Sequence, residues 1–137
     1  MAEGRTLRAE ILTPEGEVFS GDVHQLSTRT SVGEIGILAG HVPVLARLEP
    51  TELRLHMPDG EIRRLAQAEG WLQVFANRAL VLVGEAVSPD QLDEAELRSR
   101  LEDAESRISS SEDDSAERGR AEQDKARAEA FLSVAQG

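Results

Sequence analysis

The grammar of the chain changes at Ser88-Pro89, and this change restricts the fold more than any other feature. Residues 1–88 hold 9 of the 11 glycines, with 8 basic against 12 acidic side chains. Residues 89–137 hold 2 glycines, with 7 basic against 14 acidic side chains, and the charges are interleaved with alanine. Frequent Gly and Pro between short apolar segments specify strands and turns, whereas an Ala/Glu/Arg-rich stretch without an internal Pro specifies helix. The expectation is a β domain over 1–88 followed by a helical segment over 89–137.

In the first part, Leu7, Ala9 and Ile11 alternate with polar residues, and Thr13-Pro14-Glu15-Gly16 supplies turn chemistry before Val18-Phe19. Leu53, Leu55 and Met57 alternate again; Pro58-Asp59-Gly60 turns the chain, and Ile62 with Leu65 begins the return strand of a hairpin. A third hairpin is expected where Trp71–Phe75 and Leu80–Val83 flank the polar Asn77-Arg78. The spacing predicts roughly eight to ten short strands in a sandwich or barrel.

The second part opens with a helix start in which Ser88 caps, Pro89 sits in the first turn, Asp90 meets the positive end of the dipole, and Gln91 completes a capping box. Leu97, Leu101, Ala104 and Ile108 then share one face. Ser109–Ser115 breaks the pattern with residues that favour local side-chain bonds, and a second line follows at Ala121, Ala128, Leu132 and Ala135. Two helices of about 20 residues, each about 30 Å long, form an antiparallel hairpin. Its stripe is mostly alanine, which buries little area, so the hairpin is expected to be weakly held and free to re-pack.

Composition removes many functions. The chain has no cysteine, which excludes a disulfide framework, a cysteine zinc site and a thiolate nucleophile. A net charge of −11 opposes phosphate backbones and anionic lipid, so no nucleic-acid partner is expected. No apolar run approaches the ~20 residues of a spanning helix, and the polar opening Met1–Arg5 does not read as a secretion signal. The chain reads as soluble and cytoplasmic. His24, His41 and His56 lie apart without metal-ligand spacing, no nucleophile elbow or phosphate loop is present, and Lys125 is the only lysine. Neither a metal site nor a catalytic centre is therefore expected.

The densest stretch is Gly33-Glu34-Ile35-Gly36-Ile37-Leu38-Ala39-Gly40-His41-Val42-Pro43. Its glycines alternate with large apolar residues, as in a bulged strand pair and its turn. It equally suits a rigid loop that holds out Glu34 and His41 as polar contacts for a partner. Spacing does not separate the two.

At this stretch the sequence resembles the epsilon subunit family of F-type ATP synthase, of bacterial and chloroplast type. Residues 33–48 look like that family's most recognisable segment, with Ala39 where Pro is usual. The resemblance continues through the Thr13-Pro14 turn, Glu69-Gly70-Trp71-Leu72-Gln73-Val74, Asn77, Leu80–Val83, Ile108-Ser109-Ser110-Ser111 and Leu132-Ser133-Val134-Ala135. It implies a ten-stranded β-sandwich followed by two helices, in a non-catalytic rotor subunit on the cytoplasmic face of the plasma membrane, held there only through its complex. The implied partners are the gamma subunit, the polar loops of the c-ring and, through the helical hairpin, the catalytic beta and alpha subunits. Glu34 and His41 stand at the ring-facing positions, and exposed apolar residues on one sandwich face are the place to look for the gamma contact. A free-standing sandwich that binds a small ligand under a helical lid is the alternative from another class.

In this family the hairpin rests folded on the sandwich or extends along gamma, where it blocks hydrolysis. In some members ATP stabilises the folded state through Ile/Leu-Asp-x-x-Arg-Ala on the first helix and arginines on the second. Here Leu92-Asp93 matches, but Glu96 replaces the arginine; Arg127 matches one second-helix arginine, and Phe131 replaces the other. A carboxylate in place of a guanidinium reverses the interaction with phosphate. Asp93 and Arg127 are thus weak ATP-site candidates, and no cofactor is expected. Among the acids of the second helix only Arg118, Arg120, Lys125 and Arg127 are basic, which predicts weak electrostatic locking onto an acidic catalytic surface.

Overall fold

The structure, a computed structural model, describes residues 5–137; the opening Met1–Gly4 lies outside the described residues. Ten strands come first: β1 (Leu7–Thr13), β2 (Gly16–Val23), β3 (Gln25–Thr30), β4 (Gly33–Leu38), β5 (Val44–Leu48), β6 (Thr51–His56), β7 (Ile62–Gln67), β8 (Gly70–Phe75), β9 (Arg78–Val83) and β10 (Ala86–Val87). A single 3-10 turn, Pro89–Gln91, leads into helices α1 (Glu94–Ser110) and α2 (Ala116–Gln136). The strands form the expected ten-stranded sandwich and the helices the expected hairpin.

Strand order is β10-β7-β6-β3-β5-β8-β9-β1-β2, with β4 added to β3. One layer is β10-β7-β6-β3-β4 and the other is β5-β8-β9-β1-β2. A single pair, Thr30 with Leu48, joins them where the chain passes from one layer to the other. Alternation decides which side chains fill the space between. Leu7, Ala9 and Ile11 of β1, Leu53 and Leu55 of β6, Leu72 and Val74 of β8, and Ala79, Val81 and Val83 of β9 point inward with Leu26, Ile37 and Leu48. A buried polar pair lies near this join: Thr28 Oγ1 donates to Gln67 Oε1 at 2.6 Å, and Gln67 Nε2 donates to the Glu49 carbonyl at 2.9 Å. Gln67 is fully buried with its amide satisfied on both sides, so it fixes β3, β7 and the β5–β6 turn together at little desolvation cost.

The three expected hairpins are present. The Pro58-Asp59-Gly60 turn joins β6 to β7, with Leu53 opposite Leu65. Ala76 and Asn77 both adopt positive φ, 49° and 61°, the two-residue turn whose twist suits a β8–β9 hairpin.

The helix start differs from expectation. Ser88 is extended and makes no side-chain cap bond, and the turn behind it runs out at Leu92. Helix α1 is capped instead by Asp93, whose carboxylate accepts from the backbone N–H of Ala95 at 3.0 Å and of Glu96 at 3.2 Å. Residues 88–92 carry the chain off the sheet, and regular helix begins only beyond them. The start of α2 is capped by Ser115, which accepts from the Arg118 N–H.

The hairpin lies against β6 and β7 of the first layer. Ala104 of α1 and Ala121 and Ala128 of α2 are buried, as close helix approach through small residues requires. Arg107 ties the helices together, with donors 3.0 Å from Asp103 on its own helix and 2.7 Å from Asp124 on the other. The alanine line understates the hold on the sandwich. A second apolar cluster joins Ala66 and Ala68 of the sandwich to Leu97, Phe131, Leu132 and Val134, and Phe131 is fully buried.

Candidate functional site

Glu34 and His41 stand at opposite ends of β4. Glu34 is a strand residue facing outward, opposite Arg29 on β3. His41 lies in the turn before β5, so only it occupies a loop. Four residue steps along the strand carry Glu34 to Leu38, about 13 Å at ~3.3 Å per residue, and the turn adds more. The dense glycine stretch is therefore strand pair and loop in succession.

The His41 loop is firmly built. Gly40, with φ of 77°, reverses the chain, and its N–H donates to Asn77 Oδ1 at 3.0 Å. Asn77 Nδ2 in turn donates to the Thr6 carbonyl at 2.9 Å. The β8–β9 turn thus braces the loop, and His41 Nδ1 lies 2.7 Å from the Val42 carbonyl. Glu34 belongs to a charged surface on the other layer's outer face. There Glu52 accepts from Arg54 and Arg64 on one side, and Glu34 lies close enough to Arg54 to favour its charge. Burial works to raise the Glu52 carboxyl, but the hydrogen bonds from Arg64 and Arg54 outweigh it and hold the group below its usual range.

The outer face of the second layer is different in kind. Leu45, Trp71, Phe75 and Leu82 are all exposed there, and Val42 is exposed at its margin. Trp71 sits directly opposite Leu82, which pairs with Leu12 of β1 on its other side. On the opposite flank Arg47 pairs with Trp71, and its guanidinium lies 5.7 Å from the indole centroid. This patch continues to the braced His41 loop and is covered by none of the described residues, since the helices occupy the opposite layer. Contiguous exposed apolar surface rimmed by polar groups marks an interaction face.

The two ATP-site candidates are not brought to a common cavity. Asp93 is spent on capping α1. Asp93→Ala is expected to cost about 1 kcal/mol of helix stability, read as faster amide exchange confined to the first turn of α1; unchanged exchange there would show that the cap contributes nothing. Glu96, at the lost arginine's position, pairs with Arg100 at 2.7 Å. Arg127 reaches down to the sandwich, with Nη2 3.1 Å from Glu69 and Nη1 3.9 Å from Glu85. Phe131 faces the sandwich as the largest fully buried side chain. Spacing did not reveal the partners of Arg127, because both carboxylates come from turns of the β domain far away in sequence.

No helix among the described residues is long and apolar enough to cross a membrane, and among them no group of His, Cys, Asp or Glu is placed to hold a metal.

Comparison with known proteins agrees with the geometry. Residues 6–89 match the family described as ATP synthase, Delta/Epsilon chain, beta-sandwich domain. The ATP synthase epsilon chain of a Sulfurihydrogenibium species is 34% identical over 128 residues, 93% of this chain and 96% of that one. The epsilon chain of Persephonella marina is 36% identical over 127 residues, covering 92% and 93%, and that of Bacillus subtilis 32% over 110 residues, covering 80% and 83%. Among solved structures, a chain of the Euglena gracilis mitochondrial ATP synthase superposes with a TM-score of 0.79 at 23% identity, covering 97% of this chain and 82% of that one, and shows the same fold. Sandwich, hairpin and sequence agree along nearly the whole length: the chain belongs to the ATP synthase epsilon-chain family, whose members are non-catalytic subunits of that complex.

Proposed function

We propose that the chain is a central-stalk subunit that couples gamma to the c-ring and governs ATP hydrolysis through its helices. Residues 1–88 are the docking domain and residues 89–137 the regulatory hairpin. The observation that carries this reading is the uncovered apolar face of β5, β8 and β9 on the layer opposite the hairpin. A sandwich with one layer free and the other under a detachable hairpin can hold one partner while the hairpin moves. Gamma occupies the Trp71–Leu82 face. Glu34, on the exposed edge strand β4, and His41, on the braced loop, meet the polar loops of the ring at separate points. The released hairpin meets the catalytic subunits. The complex places the chain at the cytoplasmic face of the plasma membrane as a peripheral subunit.

Gamma binding tests the assignment. Trp71 is 48% exposed in this chain, so its removal barely touches the sandwich core. As a central aromatic anchor it is worth about 2 kcal/mol at an interface, so Trp71→Ala is expected to weaken gamma binding about 30-fold while the thermal midpoint holds. Affinity measured by titration with the cognate gamma subunit decides it, and wild-type affinity in the variant would remove gamma from this face.

A further inference from the structure

The hairpin meets the sandwich along one line of α2, and the line begins with a charge. The Arg127 guanidinium binds both Glu69, where Nε also lies 3.3 Å from Oε1, and Glu85. Glu69 lies in the β7–β8 turn and Glu85 in the β9–β10 turn. Their backbones are locked side by side: the Gly84 N–H donates to the Glu69 carbonyl at 3.2 Å, and the Ala68 N–H to the Glu85 carbonyl at 2.9 Å. Gly84 stands between them facing Arg127, and a Cβ there would stand 3.4 Å from Arg127 Nη2, an ordinary contact. One turn along α2 Phe131 is buried, and beyond it the Val134 carbonyl accepts from Arg64 at 3.4 Å. The contact is lopsided in size. The sandwich offers Ala66, Ala68 and the partly buried Val87 of β10 to this cluster, while most of the large side chains belong to the hairpin. Undocking exposes these hairpin side chains together with their smaller receptor, and the charges add to that apolar contact in setting the choice between states.

We infer that Arg127, Glu69 and Glu85 form an ionic latch that sets the docked population of the hairpin without any nucleotide. The inference rests on the reading of α1 and α2 as a regulatory element. Two preorganised carboxylates share one guanidinium, so leaving costs more than one pair: it also abandons two adjacent like charges to each other. The latch weakens when salt screens it. Because Arg127 is already satisfied by carboxylates and Phe131 fills the neighbouring position, ATP adds nothing to the docked state.

The absence of cysteine makes the test clean. Cysteines introduced at Glu61 and Glu112, both exposed, carry a donor and an acceptor dye on the full chain, and energy transfer reads the docked-to-undocked ratio. Arg127→Gln is expected to shift that ratio about ten-fold toward undocked and to flatten its dependence on salt between about 50 and about 500 mM. Arg127→Glu, which brings three carboxylates together, shifts it further, and saturating Mg-ATP leaves wild type unchanged. Unchanged transfer in both variants, or a shift of wild type toward docked with Mg-ATP, overturns the latch. Gamma affinity measured on the same samples separates the two proposals. A wild-type chain that does not bind gamma sinks the central-stalk reading while energy transfer still reports the latch.

Discussion

Gly70→Ala is expected to leave little folded sandwich. A Cβ at Gly70 would lie 2.0 Å from the Leu82 carbonyl oxygen and 2.7 Å from the Val83 Cα. Both are backbone atoms of the partner strand, and Gly70 is itself paired with Val83, so no side-chain rotation relieves the clash. The β8–β9 ladder must open at its first pair, which carries Leu72 and Val83 out of the core. Overpacking of this kind costs more than about 3 kcal/mol, a large share of the ~5–15 kcal/mol that holds a typical small domain. The urea midpoint of the full chain reads it. Gly119→Ala is the control with the opposite sign, because Gly119 lies within α2 with nothing within 4 Å of its added methyl. That change is expected to stabilise the helix by about 1 kcal/mol. A Gly70→Ala chain with a native midpoint would mean that β8 and β9 separate at this end without cost, and the Trp71 face would then not be rigid.

The strand grammar of this chain was legible because local chemistry wrote it. Pro58-Asp59-Gly60 and Asn77 announce turns within two residues of where they occur, and period-two alternation assigns Leu53, Leu55, Leu72 and Val74 to the core. The helix start was misplaced for a physical reason. Ser88-Pro89-Asp90-Gln91 carries every local signal of a cap, yet five residues are used to leave the sheet, and Asp93 with Glu96 three residues on is the pattern that the backbone obeys. For the candidate site, the glycines between Gly33 and Pro43 announce a strand and a turn, but alternation alone does not show that Glu34 lies on an edge strand while His41 lies past its far end. The contacts that hold the hairpin were least legible. Arg127 meets Glu69 and Glu85 only because the β7–β8 and β9–β10 turns stack, and no spacing within α2 encodes that.

Phe131→Ala is expected to separate the hairpin from the sandwich without unfolding the sandwich. The ring is fully buried in the cluster that includes Leu97, Leu132 and Val134 of the hairpin and Ala66 and Ala68 of the sandwich, whereas the sandwich core is a distinct cluster that does not include it. Truncating a buried Phe costs about 3–5 kcal/mol. Nearly all of that falls on docking, because the close helix approach at Ala104, Ala121 and Ala128 and the Arg107–Asp124 pair remain. Phe131 is the largest side chain in the docking cluster, and the smaller contacts that remain do not offset such a loss. Amide exchange should therefore rise along α1 and α2 while β1, β8 and β9 keep wild-type protection, a split that local opening permits and global unfolding forbids. Uniform loss of protection would show instead that hairpin and sandwich are one cooperative unit, which could not act as a switch. The burial of the position suits a bulky apolar ring better than the arginine expected there from the family resemblance. An arginine there needs a ligand to satisfy it when buried, whereas phenylalanine is satisfied by burial alone. On the proposed latch, the docked state depends on apolar contact and on Arg127 rather than on a bound anion.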